Sequence, residues 1–212
     1  MSDLSQIRRE YKFSTLSSRS LDNDPFLQFK AWLDNAISAE IPEATAMALA
    51  TSTPDGKPSS RIVLLKEIEK DGLIFYTNYE SKKGRQIQDN PYGALLFYWA
   101  GLERQVRIEG KLVKIQPEKS DDYYYSRPEG GKIGAWASPQ SQPVPNRTYL
   151  EKLQEDYEKL FKSRALERPR NWGGFKLIPQ LFEFWQGREN RLHDRFEYTL
   201  KGRIWEIHRL AP

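Results

Sequence analysis

The chain has 212 residues and a mass of 24.8 kDa, room for one substantial domain. Hydrophobic residues make up 38% and aromatics 13%, enough to drive folding, and no uncharged run approaches the roughly 20 apolar residues that a membrane-spanning helix needs. There is no Cys and only two His, which excludes disulfides, thiolate metal sites and thiol nucleophiles, while the modest, interspersed net charge of +4 speaks against a nucleic-acid surface.

The opening MSDLSQIRREYKF carries charges but no apolar centre, so it reads as no secretory leader and a cytoplasmic location is expected. Residues 1–23 are polar and contain the cluster Arg8-Arg9-Glu10-Tyr11-Lys12. Little there is expected to be buried, which predicts a mobile arm ahead of a single domain over 24–212. Asp24-Pro25 opens a helix, with Asp as N-cap and Pro at the first helical position. Phe26, Phe29, Trp32, Leu33 and Ile37 then follow at helical spacing to about residue 39.

From Thr45 the pattern turns to strands. Runs over 45–53 and 61–67 flank Asp55-Gly56, a hairpin signal. A third strand is expected over 73–77, then a short helix from Ser81 to Asp89, then strands over 93–99 and 104–115. Residues 117–125 read as helix. Residues 126–147 are rich in Pro, Gly and Ser and show no periodicity, so a long functional loop is expected. Residues 149–162 form an amphipathic helix. Strands over 175–178 and 181–185 and a hairpin over 195–209 complete the chain. With mostly hairpin connections and no Gly-rich phosphate loop, the reading is mainly β with peripheral helices (α+β), an antiparallel barrel.

Four segments carry possible chemistry. In Arg61-Ile62-Val63-Leu64-Leu65-Lys66 an apolar run separates two cations, as expected of a central strand. Its ends are either anion contacts or snorkelling charges. Tyr76 to Gly84 ends a strand and starts a helix, with Thr77, Ser81, Lys82 and Lys83 beside N–H groups that attract anions, or it is an ordinary capped surface helix. Tyr123 to Ser141 adds Arg127, whose planar fork matches phosphate oxygens. Trp185 to Arg195 packs three Arg, a His and a Trp into eleven residues. If that segment is extended, Arg191, His193 and Arg195 share a face, a charge density that calls for an anionic ligand. Gln105, in a strand, has an amide suited to a heterocycle edge, or it is an ordinary surface glutamine.

In order along the chain, Arg8–Tyr11, Arg61–Lys66, Phe75–Asn78, Leu102–Val106, Ser126–Pro128, Ile133–Trp136 and Trp185–Phe196 closely resemble the FMN-dependent pyridoxine/pyridoxamine 5′-phosphate oxidases over nearly the whole length. The resemblance implies a split β-barrel and a homodimer with FMN at the interface. It implies FMN contacts from Arg61, Ile62, Val63, Leu64, Leu65, Lys66, Tyr76, Thr77, Lys82, Lys83, Gln105, Gln140, Ser141, Trp185 and Arg195. Substrate contacts would come from Arg8, Arg9, Glu10, Tyr11, Lys66, Tyr123, Arg127, Gly131, Arg191, Leu192 and His193, with Arg191 and His193 catalytic and residues 1–23 closing over the substrate. The implied substrates are pyridoxine 5′-phosphate, pyridoxamine 5′-phosphate and O2; no metal, nucleic acid or membrane is involved. Two positions depart from the family pattern: Gly131 stands where Ser is usual, and Glu43 where Asp is common. A non-catalytic flavin or pyridoxal-phosphate binder, a nucleic-acid-binding barrel and a nicotinamide-dependent flavin reductase are the competing readings.

Overall fold

The computed structural model describes Leu4 and residues 10–212. Helix α1 (Pro25–Ser38) starts as expected, the Asp24 carboxylate accepting the Phe26 N–H at 2.8 Å. Nine strands follow: β1 (Ala46–Ser52), β2 (Pro58–Leu64), β3 (Glu67–Glu69), β4 (Gly72–Asn78), β5 (Tyr92–Trp99), β6 (Arg104–Lys114), β7 (Trp172–Gln186), β8 (Asp194–Lys201) and β9 (Ile204–Leu210). Helix α2 (Lys82–Asp89) lies between β4 and β5; α3 (Pro117–Ser126), α4 (Glu129–Ala137) and α5 (Arg147–Phe161) lie between β6 and β7. None of the described helices is long and apolar enough to cross a membrane.

All strand pairs are antiparallel, in the order β2-β1-β5-β6-β7-β4-β3, with β8 and β9 branching from β7. The two short strands expected over 175–185 are one fifteen-residue strand. Pro179, which has no N–H to give a ladder, suggests a break from sequence. The chain instead absorbs it where the register with β6 shifts at Glu109/Gly110. A side chain at Gly110 would meet the Ile178 carbonyl at 2.1 Å, so the backbones pass there only because it is glycine. The first half of β7 pairs with β4 and the second half with β8, while β6 runs along its other edge. The sheet therefore curls into a split barrel. Near its seam, the Lys66 N–H just beyond β2 reaches the Ile74 carbonyl of β4 at 2.9 Å.

Alternation sends Leu49, Phe97, Val106, Ile108, Phe182, Phe184 and Tyr198 inward, and α1 closes that core with Phe29, Trp32, Leu33 and Ala36. Three expectations need correction. Strand β2 is an edge strand, not a central one: it pairs only with β1, and Ile62 on its outer face is 66% exposed. The expected loop over 126–147 contains α4, whose Ile133 and Ala137 bury one face four residues apart while Trp136 packs on Tyr157 and Phe161 of α5. Tertiary burial there overrides the poor helix propensity of Gly130, Gly131 and Gly134. The arm, finally, is not wholly free of burial. Leu16 joins the core at 4% exposure, its N–H donating to Asp194 Oδ2 at 3.0 Å.

Candidate active site

A cavity of about 390 Å3 opens at the barrel seam. Ile62, Val63, Leu64 and Lys66 line it from the end of β2, Tyr76 and Thr77 from β4, and Lys83 from α2. Tyr123, Arg127, Gln140 and Trp172 form its far wall. Nine of the anticipated ligand-binding residues are thus joined with Thr77, and Trp172 is the one the sequence reading missed. Its ring lies in a stack with Tyr76 and Tyr123, the latter two centred 3.8 Å apart, and the Arg127 guanidinium sits 4.8 Å over it.

The cations here have an unusual environment. Arg61 donates from Nη1 to the Leu49 carbonyl (3.0 Å) and Thr51 Oγ1 (2.7 Å), and from Nη2 to Ser59 Oγ (2.7 Å). Lys83 Nζ donates to Gln140 Oε1 (2.8 Å) and Thr77 Oγ1 (3.0 Å). All these acceptors are neutral, and among the described residues neither cation has a carboxylate partner. Burial, with help from the neighbouring Arg61 charge, pushes the Lys83 ammonium down to about 8. Burial likewise lowers Arg61, and raises the Tyr76 phenol to about 12. Arg127 Nη1 is buried with no hydrogen-bond partner among the described residues. Cations held this way keep a charge that no described carboxylate neutralises.

The helix that carries Lys82 and Lys83 starts at a side-chain cap. Ser81 Oγ accepts the Gly84 N–H at 3.2 Å, leaving the first turn of α2 open beside Lys82 and Lys83. Lys82 itself is exposed, and Ser141 sits exposed beside Gln140 with φ at 71°. Leu65 is 4% exposed and part of the core, so only its backbone can touch a ligand. Gly131 lies against Arg127, where an added Cβ would be 3.3 Å from Nη2. Glu43 is exposed in the turn before β1 and does not line the cavity.

The remaining anticipated residues form a second group elsewhere. Gln105, Trp185 and Arg195 are directly paired across β6, β7 and β8, which puts them on one face. Trp172 and Trp185 stand near opposite ends of β7, on the order of 40 Å apart along a straight strand at about 3.3 Å per residue. None of the second group lines the seam cavity. Tyr11 of the arm sets its ring edge-on to Trp185 (5.6 Å) and His193 (5.5 Å). It can do so because residue 187 is glycine, where a Cβ would sit 2.8 Å from the Tyr11 side chain. Glu10 is exposed; Arg8 and Arg9 lie outside the described residues.

The expected extended run Arg191-His193-Arg195 is not found. Residues 189–191 form a 3-10 turn with Asn190 and Arg191 at φ 54° and 61°, leaving Arg191 and Leu192 exposed. Three of the four arginines there are already neutralised by carboxylates. Arg195 Nε pairs with Glu183 at 2.9 Å, and that pairing holds the guanidinium pKa up. Arg188 and Arg209 both pair with Asp194, at 2.9 and 2.7 Å. Burial works against the ionised Asp194, yet Arg209, the Leu16 N–H and Arg188 hold its carboxyl below the usual range. Arg191 alone among these arginines lacks a carboxylate partner among the described residues. His193 Nδ1 accepts the Arg188 N–H at 3.1 Å, so the neutral ring carries its proton on Nε2. Burial and then the Arg191 charge lower its pKa and favour that neutral form.

A curled antiparallel sheet with a cation-lined cavity at its seam defines a split barrel. The family described as pyridoxamine 5′-phosphate oxidase matches residues 33–160, and that described as the pyridoxine 5′-phosphate oxidase C-terminal dimerisation region matches 172–212. Proteins named pyridoxine/pyridoxamine 5′-phosphate oxidase are similar over the full length. The one from Nostoc sp. is 47% identical, covering 99% of this chain and 98% of its own; that from Cupriavidus taiwanensis is 49% identical over 100% of both. Among solved structures, PhzG from Burkholderia lata, in complex with tetrahydrophenazine-1-carboxylic acid, superposes with a TM-score of 0.86 at 32% identity over 92% of this chain and 95% of that one. The chain belongs to the pyridoxamine 5′-phosphate oxidase family, a family of flavin-dependent oxidoreductases, and carries its dimerisation region.

Proposed function

We propose that the protein is an FMN-dependent oxidase that converts pyridoxine 5′-phosphate and pyridoxamine 5′-phosphate to pyridoxal 5′-phosphate in the cytoplasm, as a homodimer. The observation that carries this is a single cavity lined by cations with no carboxylate partner: Lys83 with Arg61 behind it, and Arg127 with an unpartnered buried N–H. Two phosphorylated molecules need two such ends. Arg61, Lys82, Lys83 and the Gln140-Ser141 turn would hold the FMN phosphate. Lys66, Tyr123, Arg127 and the Gly131 backbone would hold the substrate phosphate.

One chain does not bring its second group to this cavity. In a homodimer, a second copy would lay Gln105, Trp185 and Arg195 against the flavin, and His193, Arg191, Leu192 and the arm residues Arg8 to Tyr11 over the substrate. The exposed apolar side chains Ile62, Leu64 and Tyr98 beside the two groups are consistent with such a contact. Bound there, the flavin would supply a two-electron acceptor: C4′ would lose a hydride to it and its O–H or N–H proton to the surroundings, O2 would take the two electrons and two protons as hydrogen peroxide, and from the amine the resulting imine would take up water and release ammonia. Anchoring both phosphates makes the ring alignment effectively intramolecular. Arg191, unneutralised and held outward by its turn, would cover the pyridine ring and stabilise negative charge. His193 would donate from Nε2 to the substrate, and Tyr11 would seal the group from water.

The test is the visible spectrum of the purified protein, followed by anaerobic addition of pyridoxine 5′-phosphate. Yellow protein that bleaches, then recovers with peroxide release on admitting air, is expected. A colourless protein that takes up no FMN overturns the flavin assignment. Yellow protein that resists both phosphorylated substrates leaves a flavin binder and overturns the oxidase reading.

A further inference from the structure

Gln86 is 5% exposed on α2, four residues past Lys82, and lies outside the cavity lining. Its Oε1 accepts two hydrogen bonds of 2.7 Å, from Thr51 Oγ1 of β1 and Ser59 Oγ of β2. Those are the same hydroxyls that accept from Arg61. The arrangement has one consistent solution. A guanidinium only donates, so each hydroxyl must turn a lone pair to Arg61 and send its own hydrogen elsewhere. Gln86 Oε1 is the elsewhere for both. A flipped amide would aim N–H groups at the hydroxyls and turn their hydrogens toward Arg61.

With Leu49 O, this cradle occupies three of the five Arg61 N–H groups. The Nε–H and one Nη2–H are left without a partner among the described residues. A carboxylate in the place of Gln86 would satisfy the same two hydroxyls. It would also cancel the charge that an incoming phosphate needs. The choice of an amide keeps Arg61 fixed and fully cationic. The same helix presents Lys82 and Lys83, so one element both displays one cation pair and braces the arginine behind it.

We propose that Gln86 is a positioning residue for anion binding: through Thr51 and Ser59 it orients Arg61 and leaves its charge unneutralised for the phosphate of the flavin. This rests on the FMN reading above and extends it to residues that touch no ligand. The test compares FMN with riboflavin, which lacks the phosphate, by fluorescence quenching on the full-length protein stripped of flavin. Gln86→Glu keeps both hydroxyl contacts and adds a negative charge. FMN affinity should fall about tenfold or more, the scale of losing a charge-assisted contact, while riboflavin affinity stays within about twofold. The double variant Thr51→Val/Ser59→Ala should shift FMN the same way by a smaller factor. It is read on the same criterion should Gln86→Glu fail to fold. Unchanged FMN affinity, or an equal fall for FMN and riboflavin, overturns the proposal alone. Failure of the unaltered protein to bind FMN overturns it together with the flavin reading.

Discussion

The two groups of site residues handle positive charge in opposite ways. At the seam, Arg61 and Lys83 are held by hydroxyls, an amide and a carbonyl. Around β8, Arg107, Arg195, Arg188 and Arg209 are held by Glu183 and Asp194, both nearly inaccessible to solvent. A half-buried cation with neutral partners keeps an uncompensated charge, open to an anion. A cation paired with a buried carboxylate is already neutralised, and its charge serves the fold. So arginine number is a poor guide to a phosphate site, and the absence of a nearby acid is a better one. Arg195 can meet a flavin only as a hydrogen-bonding edge, since Glu183 and the Ala211 carbonyl already hold its Nε and Nη1.

Arg191 is the exception within the second group, and its removal should have the largest effect. Without a carboxylate partner it contributes little to the fold, so Arg191→Ala should fold normally and keep FMN. Turnover of pyridoxine 5′-phosphate should drop on the order of a hundredfold or more, as positioning at the reacting centre is lost. Steady-state kinetics beside a flavin titration measures both. Intact turnover would remove Arg191 from the chemistry.

The contrast is sharpest in a pair of variants whose stability effects have opposite sign. Glu183→Gln leaves Arg107 and Arg195 without their shared acid and should destabilise the protein by about 2 kcal/mol, below the roughly 3–5 kcal/mol for breaking a fully buried pair because both arginines are partly exposed. Lys83→Met removes a half-buried ammonium that has no counter-charge among the described residues. The flavin-free protein should gain about 2–4 °C in melting temperature, while FMN affinity falls. Calorimetry at one fixed protein concentration checks both, since a dimer's midpoint depends on concentration. Two shifts of the same sign would erase the distinction between the groups.

Much of this was legible in the sequence. Asp55-Gly56 gave the β1-β2 hairpin, though β2 runs over Pro58–Leu64 and not 61–67, with Glu67 in the separate β3, and Asp24-Pro25 gave the start of α1, because those signals are local. The cations of the seam were legible one by one for the same reason. Their neutral cradle was not, since Arg61 meets Thr51 and Ser59 across a strand pair and Gln86 braces them from a helix. The acids that neutralise the second group were equally hidden: Glu183 reaches Arg195 and Arg107 only through the β6-β7-β8 register. Helix α4 escaped notice because burial of Ile133 and Ala137, not propensity, forms it. Trp172 escaped because only the stack with Tyr76 and Tyr123, over ninety residues of chain, gives it a role.

The smallest effect is a pH dependence, and its sign follows from Lys83. In the flavin-free protein its pKa is lowered from 10.5 to about 8. Between those values the unfolded chain holds more protons than the folded one, so stability from this group rises with pH across the window and is penalised below it. If Lys83 holds the flavin phosphate as proposed, binding needs the ammonium and draws its pKa back up. Below about pH 8 the group is already protonated and binding takes up no proton there. Above pH 8 each binding event should take up a growing fraction of one proton, and FMN affinity should weaken by up to about tenfold per pH unit. Titration calorimetry at pH 9 in two buffers of different ionisation heat reads that proton directly. Lys83→Met should abolish the uptake while Lys82→Met, which alters an exposed and freely solvated ammonium, should retain it. Uptake that survives in Lys83→Met would mean that the anion is charged against some other group, and the unneutralised lysine would no longer mark the phosphate end of the cavity.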